Sequence, residues 1–143
     1  MPRFRHHDFE FEVPDDWWNE SGMGDPTLFS QGRQSFHPGE PEYPNGKVLM
    51  LPLVDVCVKP RCLGEFGVFR NREDVVRILK GFRDGDPIPP VEVRYIDGSR
   101  YALYHGQHRF YCSVAAGFTH IPAVETKVLE PTQWRSAGGN PNP

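Results

Sequence analysis

Four consecutive residues, Gly106-Gln107-His108-Arg109, are the part of this chain best equipped for chemistry. They follow a strand-like run, Tyr101 to His105, and lead into a helix-like run that extends through Ala116. A helix that opens just after a glycine turn presents unpaired backbone N–H groups and the positive end of its dipole. That is a seat for a phosphate or another anion. Arg109 adds a planar, permanently charged fork suited to phosphate oxygens. His108 adds a second donor, and Gly106 allows positive φ and a close backbone approach. The plainer reading of the same residues is a simple turn followed by a solvated arginine.

A phosphate seat acts on its guest only with a base or a metal-holding carboxylate nearby. Glu65, in the loop Gly64-Glu65-Phe66-Gly67, is the first candidate; Glu73 and Asp97 are the others, and Asp97 suits a turn better. Cys112 lies one helical turn beyond His108, so a Cys–His nucleophile is conceivable. A small buried cysteine is the plainer assignment. A metal needs three or four converging ligands; His105 falls at a strand end, His108 on a helix and His6-His7 form a separate pair, so no metal site is expected.

The elements that must position these residues are legible in part. Phe9, Phe11 and Val13 alternate with Glu10 and Glu12 as in a half-buried strand. Asp15-Asp16-Trp17-Trp18 reads as a short helix with an Asp N-cap. Adjacent tryptophans cannot share one helical face, so one could pack and the other meet something outside; the plainer reading is a pair of rings covering the core edge. Residues 21–46 are rich in Gly and Pro and read as an irregular wrap, pinned by Phe29, Phe36 and Tyr43. Lys47 to Val58 reads as a strand that Pro52 bends or confines to an edge. Asn71 caps an amphipathic helix from Arg72 to Phe82, closed by Gly81 and Gly85. Val91 to Ile96 and Arg100 to Tyr104 form a hairpin about Asp97-Gly98. In the helix after Gly106, Phe110, Val114 and Ala115 are available to pack, and Gly117 ends it. A last strand runs from His120 to about Val128. Pro131 onward reads as a disordered tail.

The fold class expected is α+β, with residues 1–46 as an N-terminal extension, 47–130 as the domain and 131–143 as the tail. A length of 143 residues fits one domain. A net charge of −3 gives no basic footprint for DNA. Three cysteines, Cys57, Cys62 and Cys112, make neither a disulfide framework nor a zinc site. There is no signal-peptide pattern and no span-length apolar run, so the expectation is a cytoplasmic chain without membrane association.

Residues Pro87 to Val124 resemble the ParB/sulfiredoxin-like superfamily. The resemblance is carried by a Pro-Ile-Pro-Pro-Val connector, the hairpin, the Gly106-Gln107-His108-Arg109 turn, Ala116-Gly117-Phe118 and Ile121-Pro122, in that order. ParB proteins carry Gly-Glu-Arg-Arg and use CTP, sulfiredoxins carry Gly-Cys-His-Arg and use ATP, and free serine kinases carry Gly-His-His-Arg. The resemblance implies that Gly106, Gln107, His108 and Arg109 contact nucleotide phosphates, with Arg61 and Ser113 as further contacts. It implies an ATP or CTP ligand, which itself implies Mg²⁺, and NTPase or phosphotransfer activity, for which Glu65 and His108 are the candidate catalytic residues from the reading of the residues themselves. Gln107 stands where sulfiredoxins have their nucleophilic cysteine, so sulfinic-acid reduction is not expected. ParB's helical DNA-reading segments have no counterpart here. The alternatives are a non-catalytic protein- or nucleic-acid-associated module, using Trp17, Trp18 and the 21–46 loop as its surface, and a ParB-like nuclease.

Overall fold

The computed structural model describes residues 3–7, 9–24, 33–44, 46–58 and 67–126. Its centre is a mixed five-stranded sheet in the order β5-β9-β7-β8-β6. The strands are β5 (Leu49–Pro52), β6 (Val56–Cys57), β7 (Val91–Asp97), β8 (Arg100–His105) and β9 (His120–Glu125). β7 and β8 form the antiparallel hairpin; β9 runs parallel to β7, β6 parallel to β8, and β5 antiparallel to β9. With its packed helices the domain is α+β.

The strand read from Lys47 to Val58 is divided in two. After Pro52 the chain makes a single 3-10 turn, Leu53–Asp55, and crosses from one edge of the sheet to the other. Proline is tolerated there because an edge strand has a row of backbone groups with no ladder partner. The hairpin turn also shifts by one residue. Asp97 pairs with Arg100, so the two-residue loop is Gly98-Ser99. Gly98 takes the positive φ of 52° that such a loop demands.

Two longer helices complete the domain. α2 (Arg72–Asp84) starts where expected and runs two residues further, ending on Gly85 in the left-handed conformation. Gly81 does not close α2. It lies inside the helix, where an added Cβ would stand 2.9 Å from Ile88 Cδ1. The connector packs directly on that turn, and a side chain there would have to displace the tip of Ile88. α3 (Gln107–Ala116) ends on Gly117, as its sequence suggests. Its burial is broader than expected: Phe110, Tyr111, Cys112 and Ser113 are all buried, while Val114 is half-buried. A helix is buried on every side only when it has neighbours on every side. α3 has α2 and the sheet as neighbours, and also a hairpin that the sequence did not reveal.

That hairpin pairs β1 (Arg3–His6) with β2 (Phe9–Glu12). It lays aromatic rings on α3. His6 meets Phe110 edge-on with centroids 4.7 Å apart, and Phe11 meets Tyr111 at 4.9 Å. α1 (Asp15–Glu20) follows, and its N-cap is Pro14 with no side-chain cap; neither Asp serves. For its tryptophans the plainer reading, two rings covering the core, is the one the structure shows. Trp17 and Trp18 are both 3% exposed. The two rings leave the short helix in different directions, and each finds an aromatic neighbour in the core. Trp17 faces Phe69, while Trp18 packs on Phe4 and donates its indole N–H to the Gly24 carbonyl at 2.7 Å. Neither ring offers a surface to a partner.

Within residues 33–44, Phe36 is buried and stacks on Phe82 with the rings 8° from parallel. Tyr43 lies in β3 (Glu42–Tyr43), which pairs with β4 (Gly46–Lys47). Phe11, Val13, Trp17, Trp18, Met23 and Phe36 belong to the same hydrophobic core as the sheet and helices. No described helix is long and apolar enough to cross a membrane. The expected positions of Phe29, Arg61, Cys62, Glu65 and the tail from Pro131 lie outside the described residues.

Candidate functional site

Gly106 joins β8 to α3 with φ 107° and ψ 34°. Two independent constraints make it glycine. L side chains rarely adopt that φ. An added Cβ would also stand 2.6 Å from Val91 Cγ1. The turn is therefore pressed against the first residue of β7. The Gly106 carbonyl accepts the first helical hydrogen bond, from the Phe110 N–H at 2.8 Å. The N–H groups of Gln107, His108 and Arg109 precede that bond, and among the described residues no side chain caps them. The first turn of α3 has no acidic residue. All four residues of the turn are partly exposed.

The side chains of this turn point to neighbouring segments. Gln107 donates its amide N–H to the Val68 carbonyl at 2.8 Å. His108 accepts the Arg70 backbone N–H at Nε2, 2.7 Å away. An imidazole that accepts at Nε2 and is neutral carries its proton on Nδ1. That atom lies 3.5 Å from Asp74 Oδ2 on α2. Burial is the largest influence on His108 and pulls its pKa below the ordinary histidine value, outweighing the upward pull of Asp74. A half-buried ring with its Nε2 lone pair in use is neither a free donor to phosphate nor a free base in this arrangement.

Arg109 is anchored on the other side. Its Nη1 donates to the Pro89 carbonyl at 2.9 Å and to the Pro90 carbonyl at 2.8 Å. Among the described residues it makes no ion pair with a carboxylate. Burial lowers its pKa, with Glu92 opposing, but a guanidinium remains charged at neutral pH. Its Nη2 lies 3.2 Å from the point where a Cβ on Gly106 would be. The positive charge therefore sits beside the turn while one nitrogen staples the connector.

The other candidates fall in different places. Ser113 is fully buried, and its hydroxyl donates back to the Arg109 carbonyl at 2.8 Å, so it does not reach the surface of the turn. Cys112 is also fully buried, and burial raises its thiol pKa far above neutrality. It cannot supply a thiolate to His108. His105 is exposed at the end of β8, with its ring centroid 4.4 Å from that of Tyr104. Glu73 is exposed on α2, and Asp97 pairs with Arg100 through two contacts of 3.0 and 2.7 Å. Among the described residues no three His, Cys, Asp or Glu side chains converge as a metal would require.

The residues that sequence reasoning missed are backbone partners: Val68, Arg70, Pro89 and Pro90, with Asp74 behind His108. Proline lacks an N–H but keeps an ordinary carbonyl, so Pro89-Pro90 gave no signal for this contact.

Comparison of the sequence with family models and with curated proteins finds no match. Among solved structures the chain is similar to sulfiredoxin from Arabidopsis thaliana, with 21% identity and a TM-score of 0.45. The alignment covers 56% of this chain and 84% of that one. A likeness at that level concerns the course of the backbone and carries no activity with it.

Proposed function

We infer that the chain is a cytoplasmic nucleotide-binding domain that seats the phosphates of ATP or CTP, with Mg²⁺, at the N-terminus of α3. One observation carries the reading: three successive N–H groups open a ten-residue helix that has no acidic residue in its first turn and, among the described residues, no side-chain cap. The Arg109 guanidinium beside them has no carboxylate partner among the described residues. An anion there gains from the amides, the dipole and the fixed charge together. The likeness of Gly106-Gln107-His108-Arg109 to the ParB/sulfiredoxin-like turn favours a nucleotide as the guest.

In this reading the backbone supplies most of the phosphate contacts. Gln107 and His108 hold the turn in shape, and Arg109 contributes charge through its outer nitrogens. Mg²⁺ would arrive with the nucleotide and would supply charge compensation to its phosphates. NTPase or phosphotransfer chemistry is the step we assign to the bound nucleotide, with Glu65 as the carboxylate that activates the attacking group. Calorimetric titration with ATP, CTP and GTP in the presence of Mg²⁺ tests the binding. Saturable heat for at least one nucleotide, weakened in Arg109→Lys with the melting temperature retained, is expected. Absence of heat for all three defeats the reading. Turnover compared between wild type and Glu65→Gln then tests the assigned carboxylate: equal rates remove it.

A further inference from the structure

The bond between the Arg70 amide and His108 Nε2 has a consequence for protonation. Nε2 is the lone pair that a second proton would occupy, because Nδ1 already carries one. An imidazolium has two N–H donors and no acceptor. The proton and the Arg70 N–H therefore compete for one lone pair.

We propose that His108 is a proton-operated latch that holds the joint between Phe69 and α2 onto the N-terminus of α3 when neutral and releases it when charged. The joint is short and well defined. Phe69 is fully buried, and Asn71 caps α2 by accepting the Asp74 N–H at 2.8 Å. Arg70 is the exposed residue between these two fixed points. Gln107 holds the neighbouring Val68 carbonyl with a bond that does not titrate. Release is thus confined to Arg70 and the cap that follows it.

The charged groups facing the ring decide where the proton goes. From α2, Asp74 favours the imidazolium and Arg77 opposes it; from the joint itself, Arg70 opposes it. The first turn of α3 has no acidic residue to add to Asp74. The aromatic face toward Phe69, with centroids 5.8 Å apart, gives no solvation. On protonation the Nε2 proton is gained, the Arg70 N–H···Nε2 bond is lost, and the Nδ1–H draws more strongly on Asp74 Oδ2. That oxygen also accepts from the Asn71 side-chain amide at 3.3 Å. The proton is therefore felt at the α2 cap. Burial, which lowers the histidine pKa, sets the transition on the acid side of the usual range.

The inference does not depend on the nucleotide reading and is tested on the ligand-free full chain. Nitrogen-15 spectra of His108 and hydrogen exchange of the Arg70 amide are followed from about pH 8 to about pH 5. The expected result is an Nδ1–H tautomer at high pH and a loss of Arg70 protection, about tenfold, on the same titration curve. In His108→Gln, which offers an acceptor with no proton equilibrium, Arg70 protection is expected to be independent of pH. In His108→Ala it is expected to be low throughout. A neutral ring protonated on Nε2 overturns the latch. So does a ring that stays neutral until the protein unfolds, or Arg70 protection that stays flat while His108 titrates.

Discussion

The N-termini of α2 and α3 lie close together and are built in opposite ways. α2 begins at Asn71, whose side chain takes up the Asp74 N–H, and its first turn carries Glu73 and Asp74 against the helix dipole. α3 begins at Gly106, which has no side chain to offer, and its first turn carries a histidine and an arginine. One end satisfies itself and complements its own field. The other leaves its first amides without a cap among the described residues, beside a cation, at a cost to its own helix. A helix start of the second kind is worth keeping where a ligand completes it. The contrast also fixes the roles of side chains: at α2 they serve the helix, whereas at α3 they hold neighbouring segments in place.

Four perturbations break or sharpen this contrast. The largest effect is expected for Gly106→Ala. It forces a left-handed alanine and a Cβ into Val91, which should cost at least about 2 kcal/mol of stability and abolish nucleotide binding; thermal denaturation and calorimetry check both. Arg109→Ala comes next, at about 2 kcal/mol, since the Pro89 and Pro90 carbonyls lose their donor. It should lower both the melting temperature and the affinity. Asn71→Ala should cost about 1 kcal/mol, as for other lost caps, while leaving nucleotide affinity unchanged. The smallest effect is expected for Arg100→Ala at the exposed hairpin tip, where an ion pair between solvated groups should leave the melting temperature unchanged.

Proton linkage separates the two ends further. His6 and His108 both have pKa values lowered chiefly by burial. Their folded forms resist protons that the unfolded chain accepts near its ordinary value of about 6.5. Stability contributed this way is full above that value and is lost as pH falls through it toward the folded values. Asp74, held below the usual carboxylate range chiefly by its hydrogen bond from Arg77, contributes stability that is lost only at more acid pH. Melting temperatures across this range should show the histidine loss first, and His108→Gln should reduce it.

How much of this was legible differs between local and distant causes. The α2 cap, the glycine that ends α3, the edge placement forced by Pro52 and the Gly106 turn all follow from residues within a few positions of each other. The completeness of the tryptophans' burial does not, because their aromatic neighbours, Phe4 in the β1–β2 hairpin and Phe69 ahead of α2, are distant in sequence. The hairpin itself was half visible: Phe9 to Val13 alternates, but Arg3 to His6 carries too few apolar residues to show a period. At the site, Gly106 was placed correctly for reasons of φ, but its contact with Val91 lies outside any local pattern. The destinations of Gln107, His108 and Arg109 were hidden because their partners are backbone groups at Val68, Arg70, Pro89 and Pro90. Carbonyls and amides leave no mark in composition.

The direct test of the central claim is an amide spectrum of the protein titrated with ATP or CTP and Mg²⁺. The account expects the Gln107, His108 and Arg109 N–H resonances to shift together and saturate, with the α2 cap at Asp74 shifting less. Saturable binding that leaves those three amides unmoved, or no binding by either nucleotide, would contradict it.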